Sequence, residues 1–168
     1  MRLNSKTTMI SVGSSSINDA FDLAFARGEI SIPQFRSVFK GRVITMDDVD
    51  YDESRSVFYG GIDRHPALII RAADTTDVST VLSLARESGL KLAIRSGGHS
   101  IAGYGVSDGG IVLDLRDLQW LKIDTKGHTA WAESGLTAAE YTAAAGANGL
   151  ATGFGDTNSV GIDMCVGA

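Results

Sequence analysis

The stretch from Pro66 to Ile94 constrains the fold of this 168-residue chain more than any other. Ala67-Leu68-Ile69-Ile70 is a continuous apolar run that reads as a buried strand. Thr75-Thr76-Asp77 supplies cap-type residues and an acidic first turn for a helix. Val78, Val81, Leu82 and Ala85 recur at i, i+3, i+4 and i+7, which gives that helix one apolar face. Gly89 ends it at a C′ position, and Lys91 to Ile94 returns as a strand. Strand, helix and strand in this order imply a parallel pair joined by a right-handed crossover. The second strand runs directly into Arg95-Ser96-Gly97-Gly98-His99-Ser100. Open α/β sheets bind ligands at the carboxyl ends of their strands. Paired glycines there let backbone N–H groups come close to a phosphate.

The flanking sequence fills in the architecture. A leader over residues 1–18 is polar, with Ser14-Ser15-Ser16, and lacks the unbroken apolar core of a signal peptide. Residues 19–61 read as an N-terminal helical segment, with a helical pattern from Asp19 to Lys40 that Pro33 interrupts and restarts. The acidic run Asp47 to Glu53 reads as a solvated loop before a short Arg55 to Tyr59 segment. Residues 62–168 hold the strand–helix–strand unit and the elements after it. Ile111 to Leu115 is a third strand, and Asp124-Thr125-Lys126-Gly127 turns a hairpin between Trp120–Ile123 and Thr129–Ala132. Thr137-Ala138-Ala139-Glu140 matches a capping box that starts a helix to about Ala147, closed by Asn148-Gly149. Trp120, Trp131 and Tyr141 read as core or turn aromatics. The fold class is α+β (α/β), a mixed sheet flanked by helices.

Composition excludes several functions. A net charge of −5 without any Lys/Arg block argues against a nucleic-acid surface. No segment approaches the ~20 apolar residues of a membrane helix. The single Cys165 cannot close an internal disulfide, and no Asn-x-Ser/Thr sequon is present, so a cytoplasmic protein is expected. Asp48, Asp50 and Asp52 imitate a calcium loop, but Glu53 stands where glycine is required and Tyr59 where the last ligand would be. His65, His99 and His128 are too scattered for zinc. Ser37-Val38-Phe39-Lys40 lacks the partner motifs of a serine acyl-transferase. Walker A and G-x-G-x-x-G are both missing.

The loop Arg95-Ser96-Gly97-Gly98-His99-Ser100 resembles the flavin-attachment loop of FAD-linked oxidases of the vanillyl-alcohol-oxidase type, with a PCMH-type FAD-binding domain. The likeness is greatest to the group of berberine-bridge-enzyme-like and 6-hydroxy-D-nicotine-oxidase-like proteins. It extends from about Phe35 to Gly161, through Asp52-Glu53-Ser54-Arg55, Arg64-His65-Pro66, Ala85-Arg86-Glu87-Ser88-Gly89-Leu90, Gly103, Asp108-Gly109-Gly110 and Thr152-Gly153. The resemblance implies FAD as cofactor, its diphosphate held by the main chain of Ser96, Gly97, Gly98, His99 and Ser100, with Arg95 ending the strand beneath. His99 would carry a covalent bond to the flavin 8α carbon. Gly103, Gly155, Thr157, Val160 and Gly161 complete the implied cofactor set.

Some members of this group have a second link through a cysteine. Thr157 occupies that position here, and a hydroxyl cannot replace a thiolate nucleophile, so a single link is expected. Cys165 lies eight residues later and is not that cysteine. Over Asp163-Met164-Cys165-Val166-Gly167-Ala168 the resemblance stops, and Asp163 would set a carboxylate near the diphosphate. A truncated product is therefore expected: the N-terminal part of the FAD-binding domain, with a C-terminal remainder that could be encoded separately. The implied activity is oxidation of an alcohol, amine or sugar carbon by hydride transfer to FAD, with O2 as acceptor. The alternative is a non-catalytic remnant or half of a split oxidase. The family's proton-accepting group comes from its substrate domain, so no catalytic residue and no metal ligand is assigned.

Overall fold

A computed structural model describes residues 33, 36–153 and 157–162 of the protein. The expectations for the 1–18 leader, most of the Asp19–Lys40 helix, Gly155, Asp163 and Cys165 lie outside the described residues.

Among the described residues nine elements follow one another: β1 (Arg42–Ile44), α1 (Tyr51–Arg55), β2 (Leu68–Arg71), α2 (Thr75–Ser88), β3 (Leu92–Arg95), β4 (Ile111–Asp114), β5 (Leu121–Asp124), β6 (Thr129–Ala132) and α3 (Ala138–Ala147). Four of the strands make one mixed sheet in the order β1-β2-β4-β3. β4 is parallel to both β2 and β3 and lies between them, with Leu113 opposite Ile70 on one side and Ile94 on the other. The strands joined by α2 are thus parallel but not neighbours, a correction to the simple pair expected. Antiparallel β1 adds an edge, pairing Val43 with Ile70. The 19–61 segment is therefore not helical throughout: part of it joins the same sheet.

Both faces of this sheet are covered, which is why β2 and β4 read as unbroken apolar runs. Leu68, Ile70, Ile111 and Leu113 point to one face and pack against Val81, Leu84 and Ala85 of α2. Ile44, Ile69, Val112 and Ala93 point to the other, where Tyr51 and Val106 cover them. The Tyr51 hydroxyl donates to Pro66 O at 2.7 Å. In contrast, among the described residues β5 and β6 pair only with each other, and they alternate half-buried with exposed residues. Trp120 and Trp131 are 56% and 75% exposed, so they are surface residues rather than core.

Local chemistry sets the ends of α2. Asp74 is its N-cap, accepting from the N–H groups of Thr76 and Asp77, and Gly89 closes it at φ +65°. The buried stripe runs through Asp77, Val81, Leu84 and Ala85, while Leu82 faces outward. The acidic run also differs from a free loop, because it includes α1 and three ion pairs: Arg36–Asp48, Arg42–Asp50 and Arg55–Asp52. The expected capping box is present, with Thr137 and Glu140 each accepting from the other's backbone.

Asp77 fastens the first turn of α2 to the chain entering β1. Its carboxylate accepts from the backbone N–H of Lys40 (3.0 Å), Gly41 (2.8 Å) and Ala73 (3.0 Å). Replacing it by alanine strands three donors, so Asp77→Ala should lower the unfolding free energy by about 3 kcal/mol. Asp77→Asn should cost less, because its amide oxygen keeps part of the acceptor set; urea denaturation of both variants provides the measurement.

Candidate functional site

The carboxyl ends of β2, β3 and β4 converge on Asp114, whose register partners are Arg71 and Arg95. Asp114 is fully buried and is met by Arg95 Nη2 at 2.7 Å and Arg116 Nε at 2.9 Å, with Arg71 Nε 3.9 Å away. Three guanidinium groups around one carboxylate leave a positive excess where the loop begins. Burial pulls the Arg95 guanidinium below its ordinary value, while the charge of Asp114 opposes that shift. Arg95 also donates to the carbonyls of Ser54 and Ser56. Its guanidinium supports the loop from beneath, and only Nε lacks a partner among the described residues.

Beyond Arg95 the chain enters the glycine loop. Gly98 has φ +72°, a left-handed conformation that favours glycine. Gly97 is required for a different reason. A Cβ there would lie 2.4 Å from Gly161 N and 2.7 Å from Ser159 O, so two backbones pass in direct contact. The N–H groups of Ser96, Gly97, Gly98, His99 and Ser100 donate to no described residue. Consecutive free donors near a left-handed residue form an anion-binding nest. This donor set fits a diphosphate. The loop is held from its other side, where Phe58 N–H donates to Gly98 O at 3.1 Å and Ser96 Oγ donates to Ser134 O.

His99 is 8% exposed and is fixed by two neighbours. The Phe58 ring stacks on it with centroids 4.0 Å apart and planes 22° apart. Ser159 Oγ lies 2.9 Å from Nε2. Nδ1 has no hydrogen-bond partner among the described residues.

The structure thus brings Arg95, Ser96, Gly97, Gly98, His99 and Ser100 together with Val160 and Gly161. The second loop is anchored on α3: Ala138 N–H donates to Val160 O at 2.8 Å, Ala139 N–H to Asn158 O at 3.0 Å, and Thr137 bridges to Gly161. Thr157 is half-buried at the start of this loop, its carbonyl accepting from Val160 N–H. Gly103, at φ +72°, closes a turn on the end of the loop: its N–H donates to Ser100 O at 3.0 Å, it packs on Ile62, and its carbonyl is bound by Arg64 at 2.7 Å. An open cavity of about 260 Å3 lies between Ser96, Gly97, Arg116, Thr137 and Ser159. Sequence reasoning missed Phe58, Arg116 and Ser159. Arg116 carried a faint signal, two residues past a strand end; Phe58 and Ser159 carried none, since only folding brings them to His99.

The FAD binding domain family matches residues 66–168. The chain is 37% identical over 122 residues to (R)-6-hydroxynicotine oxidase of Paenarthrobacter nicotinovorans, which covers 73% of this chain and 27% of the relative. It is 39% identical over 85 residues to berberine bridge enzyme-like 9 of Arabidopsis thaliana, over 49% of this chain and 16% of that one. The crystal structure of 6-hydroxy-D-nicotine oxidase from Arthrobacter nicotinovorans superposes with a TM-score of 0.71 at 36% identity, over 73% of this chain and 27% of that one. A BBE-like protein of Physcomitrella patens shares the fold at a TM-score of 0.72 and 20% identity. These likenesses bear out the PCMH-type fold. The chain spans about a quarter of the length of the relatives it matches (27% for the first).

Three substitutions test the construction of the site. Gly97→Ala forces the two loops apart and should cost about 1–3 kcal/mol. Gly60→Ala meets nothing within 4 Å and should stay within about 0.5 kcal/mol. Asp114→Ala leaves buried Arg95 without its carboxylate and should cost about 3–5 kcal/mol. Denaturant unfolding of the three variants checks all of these values.

Proposed function

This chain belongs to the FAD binding domain family, and from that premise we propose that it is the cofactor-holding part of a flavin-dependent oxidoreductase with FAD tethered once, through His99. The observation that carries the reading is the nest itself: five successive backbone donors free of described partners, with an imidazole on the same loop. The main chain from Ser96 to Ser100 grips the diphosphate, and the positive excess of Arg71, Arg95 and Arg116 over Asp114 favours that anion.

The His99 imidazole would supply the lone pair that joins FAD to the chain at the flavin 8α carbon and would give up its own ring proton; dioxygen would take up the two electrons of that oxidative coupling. Thr157 provides no thiolate, so the tether remains single. When bound, FAD supplies two-electron chemistry, accepting a hydride from an alcohol, amine or sugar carbon, with O2 as the acceptor that restores it. Small-molecule substrate and dioxygen are the partners this reading assigns. No helix among the described residues is long and apolar enough to cross a membrane.

The alternative reading is a non-catalytic remnant, or half of a split oxidase, without turnover alone. Purified chain that shows no flavin absorbance after incubation with FAD supports it.

Acid precipitation tests the tether directly. The wild-type pellet should stay yellow, and His99→Ala should release all of its flavin to the supernatant. A colourless wild-type pellet refutes the covalent assignment.

A further inference from the structure

We infer that Ser159 is a positioning residue for the tether: its hydroxyl oxygen accepts the Nε2 proton of His99, leaving the Nδ1 lone pair as the nucleophile. This rests on the reading of His99 as the attachment point and deepens it. A neutral imidazole carries one N–H and one lone pair, and the partner of one nitrogen determines what the other presents. Here Ser159 Oγ engages Nε2 at 2.9 Å. Phe58 stacks on one face of the ring at 4.0 Å and holds its plane. Nδ1 is left as the ring nitrogen with no partner among the described residues.

The contact does more than select a tautomer. As Nδ1 forms the N–C bond, the ring becomes an imidazolium and its Nε2–H becomes more acidic. An oxygen already accepting that hydrogen bond stabilises the developing charge and lies where the second proton departs. Ser159 is itself well placed. Its backbone carbonyl lies against Gly97, and its loop is pinned to the first turn of α3 through Asn158 O and Val160 O. The second loop therefore delivers a hydroxyl to the first loop's histidine, 60 residues earlier in the chain. The side chain is exposed enough that its removal leaves no cavity.

Two readouts test this in the full 168-residue chain. The first needs no flavin: long-range 1H–15N spectra of 15N-histidine protein at about pH 8.5, well above the ordinary imidazole pKa of ~6.5. Wild type should show His99 protonated at Nε2, and Ser159→Ala should lose that bias. The second is the rate at which added FAD becomes acid-stable on the polypeptide, read as flavin fluorescence of the denatured band. Ser159→Ala should slow it about tenfold, the scale of one lost hydrogen bond, and Ser159→Thr should restore it. A wild-type His99 protonated at Nδ1, or a Ser159→Ala protein with unchanged tautomer and rate, overturns the inference. Wild type that takes up no covalent flavin overturns the His99 tether, and with it the role of Ser159 in attachment; the spectra still decide whether the contact sets the tautomer.

Discussion

The buried pair of Arg95 and Asp114 is the interaction on which the remaining geometry rests. One carboxylate, with no exposed surface, joins the ends of three strands through Arg71, Arg95 and Arg116. The Arg95 guanidinium also holds the carbonyls of Ser54 and Ser56, two residues before Phe58. Phe58 in turn binds Gly98 through its N–H and stacks on His99. Sheet, loop and histidine are therefore linked through one side chain. Removing two charges from water costs several kcal/mol per ion, and a well-packed apolar pair is often as stable. What an apolar pair lacks is direction. Planar donors fixed toward three acceptors set the path of the chain in a way that nonspecific packing does not.

The site is made from two loops distant in sequence that meet at Gly97. The first leaves the sheet with N–H groups that have no partner among the described residues, and the second hangs from the N-terminus of α3 by backbone hydrogen bonds. The Thr137–Glu140 capping box thus has a role beyond ending a helix: it fixes the turn from which Val160 and Gly161 are suspended. A local cap worth about 1 kcal/mol by itself becomes a positional constraint on the second loop.

Charge distribution follows the same logic. The chain as a whole is acidic, at net charge −5. Yet the carboxyl ends of its central strands carry three arginines against one aspartate. Many of its other acidic residues are neutralised locally, as in Arg36–Asp48, Arg42–Asp50 and Lys40–Asp74. Net charge says nothing about a single anion held in one pocket, where the local field decides.

The sequence by itself determined what is local. The apolar runs at Leu68–Ile70 and Ile111–Leu113, the glycine stop at Gly89, the hairpin turn after Asp124 and the Thr137 capping box all depend on near neighbours, and each was legible. So was the glycine loop with His99, because its motif is contiguous. Tertiary structure decided what depends on long-range register. It placed β4 between β2 and β3, turned Leu84 rather than Leu82 toward the sheet, and put Trp131 on the surface. A 3.6-residue period reveals that a helix has an apolar stripe, but only the sheet beneath fixes which residues lie at its centre. It also brought Phe58 and Ser159 to His99 from 41 and 60 positions away. No spacing rule encodes such a meeting, because it is the sum of every turn taken between them.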